Sequence, residues 1–428
     1  MSSSSRRRYV LLGAAGALLG LASGTRAANW EILPRLEGGG TYNDNYRMAE
    51  GAAPKLRVYG PYADVQLDLN LISPRGNFEI VPHVHTTYFP SDTADDSTDE
   101  YLTMDGEYHG LRSDLKGAAE YSDEAIITSE LLPATFPGVA LGQEVGGEYG
   151  RVSIRNRRQL ERVAPEYTYD FTQRAHLDLQ ALYDRASFSN GNQSASYGLS
   201  VTQIGFENYG GRGGMRFDVT PESTVSVSGV VARFQPQRGG HDTNRYGVDV
   251  EWGEQPSQIM HTYLRVGANR VQANTVIGTA STTGFSGGAG VAWRYQITEV
   301  ILDLLRNYSP SSAGAEVVND ELRFRVLHAF KPRLSGFFAA RAVRLRGASS
   351  QPQLAIDGED YFTGEAGVDY QFTMRFRVQA TYDYTWQRFQ GEPSAGSNAF
   401  ALAFIYQPLS RYQPLPEFTG IPQEPAVL

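Results

Sequence analysis

From about residue 30 to residue 407 apolar and polar side chains alternate one by one, so that a charged face lies opposite an apolar one. In 374–386 Phe376, Val378, Ala380, Tyr382, Tyr384 and Trp386 share one face, and Arg375, Arg377, Gln379, Thr381, Asp383 and Thr385 the other. Val65, Leu67, Leu69 and Leu71 alternate with Asp64, Gln66, Asp68 and Asn70. Leu322, Phe324 and Val326 alternate with Glu321, Arg323 and Arg325. Successive side chains of a strand point to opposite faces, so each segment presents one apolar and one polar surface.

A soluble sandwich alternates too; connection lengths separate the two cases. Short turns recur near 73–77, 111–114, 171–174, 220–223, 254–258, 296–299, 330–333 and 371–374. Longer polar stretches lie between them, at 43–55, 90–99, 123–159, 186–204, 235–245, 270–283, 307–319, 346–359 and 387–397. Short turns at one end and long loops at the other mark an outer-membrane barrel. Eight hairpins, a first strand before 43 and a last at 398–407 make 18 strands, an even number, with 16 as the alternative. The expected fold is all-β: a transmembrane antiparallel up-and-down β-barrel over 28–407, with short periplasmic turns and long extracellular loops. Aromatic residues gather at both ends of the apolar face, Phe171, Phe217 and Trp252 near the turns and Tyr42, Phe234 and Tyr246 near the loops. They predict two interfacial girdles.

Composition narrows the alternatives. The 45 Gly, 25 Tyr and 20 Phe sit in a chain of mean hydropathy −0.37. Its longest uninterrupted apolar run in the exported part is Ala399 to Tyr406, so a spanning helix is excluded. A β-helix or propeller needs a fixed repeat, and no motif repeats. The absence of Cys excludes disulfides, thiolate metal sites and a lipid-anchored lipoprotein. A net charge of −9 speaks against nucleic acid. Residues 1–27 read as a signal peptide: Arg6, Arg7 and Arg8, an apolar stretch from Val10 to Ala22, then Thr25-Arg26-Ala27. The strand 397–406 resembles the signal by which barrel-assembly machinery accepts its clients, and 408–428 reads as a Pro-rich periplasmic tail.

The segment GGTYNDNYRM (39–48) ends the first strand in Tyr-x-Asp-Asn-aromatic, supplied by Tyr42, Asp44, Asn45 and Tyr46. In this the chain resembles outer-membrane β-barrel porins associated with exopolysaccharide-type gene clusters. The resemblance implies a pore in the outer membrane, export of a secreted polysaccharide, and a periplasmic export component as partner through the tail. Outer-membrane lipid and lipopolysaccharide would surround it.

The residues expected to line the pore are Asp64, Asp68, His83, His85, Asp178, Asp249, Glu251, Arg265, Arg323, Arg325, Asp369, Arg375, Arg377 and Asp383, with Arg344 also on that face. Rings of charge tune ion selectivity, although mutual pairing explains mixed charges equally well. His83 and His85 at i, i+2 could share a metal, but two polar wall residues are the simpler reading, and no metal or other cofactor is expected. SDTADDSTDE (91–100) reads as a solvated acidic loop rather than a calcium loop, and GGRGG (210–214) as strand rather than phosphate loop. The longest loop, 123–159, has an apolar, Pro-broken middle at 128–142 and is expected to fold into the lumen. Arg151, Arg155, Arg157, Arg158 and Arg162 follow it. They would either form a constriction or extend above the membrane toward lipid phosphates. Tyr263, Tyr361 and Tyr101 are the aromatic residues expected to face inward. No catalytic set sits at matched heights, so an enzyme is not expected. The cargo order is secreted polysaccharide, then small solutes through a general porin, then a non-conducting structural or adhesive barrel.

Overall fold

The computed structural model describes residues 29–130, 156–189, 203–237, 241–275, 278–348 and 358–408. The export signal, the middle of the 123–159 loop with Arg151 and Arg155, and the tail beyond 408 lie outside the described residues. The strands are β1 (Asn29–Asn43), β2 (Val58–Ser73), β3 (Gly76–Thr87), β4 (Ser97–His109), β5 (Ser113–Ala125) and β6 (Arg157–Thr172). They continue as β7 (Ala175–Ser189), β8 (Phe206–Asp218), β9 (Ser223–Pro236), β10 (Thr243–Ser257), β11 (Met260–Thr275) and β12 (Gly278–Tyr295). The set ends with β13 (Thr298–Pro310), β14 (Glu316–Lys331), β15 (Leu334–Gly347), β16 (Glu359–Gln371), β17 (Phe376–Phe389) and β18 (Ala395–Tyr406). A single helical turn, α1 (Ile126–Glu130), follows β5.

Each strand pairs antiparallel with the next, and β18 returns to β1 from Leu36 opposite Tyr406 to Asn43 opposite Ala399. The 18-stranded sheet therefore has no open edge, which is what a strand structure needs where no water can satisfy its backbone.

Seven of the eight expected short turns sit at breaks between strands, as at Ser73/Gly76 and Tyr295/Thr298; the one expected at 254–258 is displaced, because β10 runs on to Ser257 and β11 resumes at Met260. Two expected loops do not exist as drawn. The stretch 270–283 is taken up by β11 and β12, which reach Thr275 and resume at Gly278; 307–319 is taken up by β13 and β14, which reach Pro310 and resume at Glu316. Their polar residues lie in paired strand, with Val271 opposite Thr282 and Asn307 opposite Asn319. Polarity there marks strand that overshoots the apolar band.

The outer face is densely apolar and open: Val248, Leu264, Val266, Leu402 and Phe404 are 49–61% exposed. A soluble surface avoids such a patch and a lipid-facing band requires it. Phe171, Phe217, Trp252, Tyr42 and Tyr246 are exposed at its two margins. Phe234 is a correction: it points inward, fully buried beside Phe206 at 5.5 Å and with Leu160 and Ala186. Val230, Val231 and Ala232 precede it, so both faces of β9 are apolar there and alternation cannot fix its side. The closed sheet with its apolar exterior is an outer-membrane β-barrel. Glycines on its inner face give rings room: a Cβ at Gly39 would lie 2.8 Å from the Tyr62 ring, and one at Gly288 2.8 Å from the Tyr263 hydroxyl.

Candidate functional site

Strand register assigns the inner face. Glu37 lies opposite Asp64, Asp64 opposite His85, Gln66 opposite His83, and His83 opposite Tyr101, all on the side away from the exposed apolar residues. By the same pairing Asp68, Asp178, Asp249, Glu251, Arg265, Arg323, Arg325, Asp369, Arg377 and Asp383 point inward. Asp178 accepts from Thr168 Oγ1 at 2.8 Å, Asp249 from Ser286 Oγ at 3.0 Å, and Asp369 stands 3.8 Å from Arg377.

Three arginines depart from expectation. Arg375 is exposed in the turn before β17, where its carbonyl accepts from the Gln407 N–H at 2.9 Å; the strand starts one residue later. Arg157 is on the outer face, one residue from Arg158, and its guanidinium bonds Asp123 at 2.7 Å and the Thr98 carbonyl at 2.8 Å. Arg344 also faces outward, bonded to Asp360 at 2.6 Å. Arg158 and Arg162 do face inward, but each pairs within the wall, with Glu124 at 2.7 Å and Asp184 at 2.6 Å.

The inner wall has two unlike sides. Across β13–β15 charges are compensated and out of water. Asp303 accepts from the Tyr263 hydroxyl at 2.5 Å and pairs with Arg323; Glu299 meets Arg325 at 3.0 Å, and at 2.8 Å the exposed Arg294 of β12; Arg341 meets Glu321 at 2.6 Å. Arg323 and Asp303 are 0% and 1% exposed. On β2–β4 and β16–β17 carboxylates reach the interior instead. Glu79 stands directly opposite Asp105, and Glu365 opposite Asp383. Among the described residues Glu79, Asp105 and Asp383 have neither a hydrogen-bond nor a cationic partner; Asp105 is exposed and the other two half-buried. Like charges directly opposite in a sheet repel, and such pairs persist where water and mobile cations screen them.

His83 and His85 share one carboxylate. Nε2 of His83 lies 2.6 Å and Nδ1 of His85 3.2 Å from the same Asp64 oxygen. Among the described residues no group of three His, Asp or Glu side chains is placed to hold a metal ion. The rings of His83 and Tyr101 stack, and Tyr62 leans on His85. Tyr62 is an inner-wall residue that sequence reasoning missed. Its signal was the parity it shares with Asp64 and Gln66.

The rim is built by the motif that ends β1. Asn43 Oδ1 accepts from the Asn45 N–H and from Ser397 Oγ, both at 2.8 Å. Asp44 accepts from the Asn398 backbone at 2.8 Å and its amide at 2.7 Å. Tyr46 packs edge-on against Phe89 at 5.1 Å; burial, then Asp95 and Asp99, push its phenol well above the usual tyrosine range. Arg47 pairs with Asp95. The acids of 91–100 thus do structural work at the rim: Asp96 also accepts from the Phe89 N–H at 2.7 Å, and Asp99 from the Ala125 N–H at 2.8 Å.

Across the same rim Glu50 meets Glu392. Burial first, then the neighbouring carboxylate and a hydrogen bond to it, raise the Glu50 pKa above 4.5. A raised acid favours the folded contact below its unfolded value and loses that favour as pH rises through the folded one. Amide exchange of 49–55, corrected for its intrinsic rate, should therefore be slowest in acid and step up above about pH 4.5. Glu50→Gln should abolish the step; an unchanged step would assign it elsewhere.

No protein-family model matches the chain, and no curated protein matches it. Among solved structures it is similar to OccK2 (OpdF) of Pseudomonas aeruginosa in complex with glucuronate, at 12% identity and TM-score 0.44 over 89% of this chain and 99% of that one. It is also similar to the outer membrane channel DcaP of Acinetobacter baumannii, at 13% identity and TM-score 0.40 over 89% and 97%. A third is the FrpB iron transporter of Neisseria meningitidis, at 7% identity and TM-score 0.44 over 88% and 81%.

Proposed function

We propose that this barrel is an outer-membrane channel for small hydrophilic solutes that favours cations. The observation behind the reading is the asymmetry of the wall. Charges on β13–β15 cancel in buried pairs, whereas Glu79, Asp105 and Asp383 face the interior without a cation from the described chain. Carboxylates without a cationic partner in the wall raise the local concentration of cations in a confined aqueous path and lower that of anions.

Secreted polysaccharide is the narrower cargo. A file of inward aromatic rings would support it, but Tyr263 and Tyr361 are only 6% and 2% exposed, and the half-buried inward rings outside β2–β4, Phe188 on β7 and Phe337 on β15, stand on separate strands. The wall therefore favours the small-solute reading.

Reversal potentials in a potassium chloride gradient across planar bilayers test it. The purified barrel should prefer potassium at low salt. The triple variant Glu79→Gln, Asp105→Asn, Asp383→Asn should lose most of that preference while keeping its gel shift between unheated and boiled samples. Anion preference in the parent, or silence in every preparation, would sink the reading.

A further inference from the structure

Four rings cross the inner wall in a row: Tyr62 on β2, His85 and His83 on β3, and Tyr101 on β4. Tyr62 and His85 have centroids 5.6 Å apart, and His83 lies parallel to Tyr101 at 4.9 Å and 18°. All four are half-buried, so part of each stays open on the lumen side. Each ring ends on a carboxylate. The Tyr62 hydroxyl donates to Glu37 at 3.0 Å and the Tyr101 hydroxyl to Glu124 at 3.1 Å, while both imidazoles meet Asp64. A phenol that donates to an anion carries more negative charge in its ring. The nearest guanidinium groups are already engaged, Arg35 with Glu37 at 3.0 Å and Arg158 with Glu124 at 2.7 Å. Four residues along β3 from His83, Glu79 faces Asp105.

Ring surface bordered by negative charge suits one class of small molecule, a cation with an apolar body. Its charge gains from the ring quadrupole and from the surrounding carboxylates, and its carbon atoms gain from contact with the rings. A neutral sugar would use the rings and ignore the charge; an anion would be repelled. We propose that the Tyr62–His85–His83–Tyr101 strip is a binding subsite for organic cations, solutes bearing an ammonium or guanidinium group. Its role in passage rests on the channel reading; its binding does not.

The test uses the full-length barrel in detergent and choline chloride as probe, with glucose and sodium gluconate as controls. Binding is read by saturation-transfer NMR, and block of the potassium current is read in bilayers. Choline should bind while glucose and gluconate at equal concentration do not. Tyr62→Leu with Tyr101→Leu should weaken choline at least tenfold in both readouts, with the gel shift retained. Should that double variant fail to fold, Asp64→Asn and Glu79→Gln carry the same test, and each should weaken choline severalfold. Choline affinity unchanged in the variants, or glucose binding as well as choline, overturns the proposal. A barrel that binds choline but never conducts removes the channel reading and leaves the subsite; one that conducts but ignores choline does the reverse.

Discussion

Arg323→Met should destabilise the barrel by about 3–5 kcal/mol, the cost of stranding a buried charge. Arg323 on β14 lies directly opposite Asp303 on β13, and both side chains are shut off from water, at 1% and 2% exposure. The carboxylate also takes the Tyr263 hydroxyl at 2.5 Å. Without the guanidinium, Asp303 must stay charged in a dry wall or take up a proton, and either course favours the unfolded chain. The readout is the midpoint of urea- or heat-driven conversion from the fast- to the slow-migrating form on a gel. Adding Asp303→Leu should recover most of the loss, because an apolar pair of similar volume often equals a buried ion pair. The recovery should stop short by about 1–3 kcal/mol, since Tyr263 then lacks its acceptor, and Tyr263→Phe should supply the remainder. Arg344→Met is the control: its pairing with Asp360 is outward and exposed, and the midpoint should not move. An Arg323→Met barrel as stable as the parent would mean that this wall is wet and its charges are open to permeating ions.

The contrast between that wall and the acidic one shows what alternation can and cannot carry. On β17 every second residue from Phe376 to Trp386 is apolar, so the face of Asp383 was legible from the sequence. Near Phe234 both parities are apolar, and the side was lost. Arg157 and Arg158 adjoin the longest connection, so their parity could not be counted from either neighbouring strand. Turns were legible because a tight reversal demands particular residues, as in Ser73-Pro74-Arg75-Gly76. Long-loop limits were not, because strand above the membrane has wet residues on both faces.

Pairing lies one step further from the sequence, and it fails unevenly. The polar stretch 307–319 has the composition of a loop, yet its centre is the point about which Asp303 and Arg323 pair. That ion pair was recoverable although the loop length was wrong. The stretch 90–99 is off centre relative to the pairing of Glu79 with Asp105, and a shift of two or three residues was enough to hide the facing acids. Tyr62 shows a different loss. Its inward parity was available, but its place in a row of rings depends on the register of three strands at once.

Asn45→Ala should loosen the seam where the last strand meets the first. Asn45 is 0% exposed, and its amide donates to the Gly396 carbonyl at 2.9 Å and the Ala49 carbonyl at 3.1 Å while its oxygen accepts from the Ala49 N–H at 2.9 Å. Alanine leaves these backbone groups buried without partners, at about 1–3 kcal/mol for each group that water cannot reach. A net loss of about 3 kcal/mol corresponds to roughly a hundredfold faster opening. Amide exchange in Thr41–Asn43 and Ala399–Ala401, the rungs below the clasp, should accelerate by that order, with little change on β10–β12 across the barrel. Asn45→Asp keeps the acceptor for Ala49 and loses both donors, so it should fall between parent and alanine. Equal acceleration on every strand would show a general loss of stability. No acceleration at all would show that β1 and β18 are held by their ladder alone, and the Tyr-x-Asp-Asn-aromatic motif would then owe its place to loop shape and not to closure of the barrel.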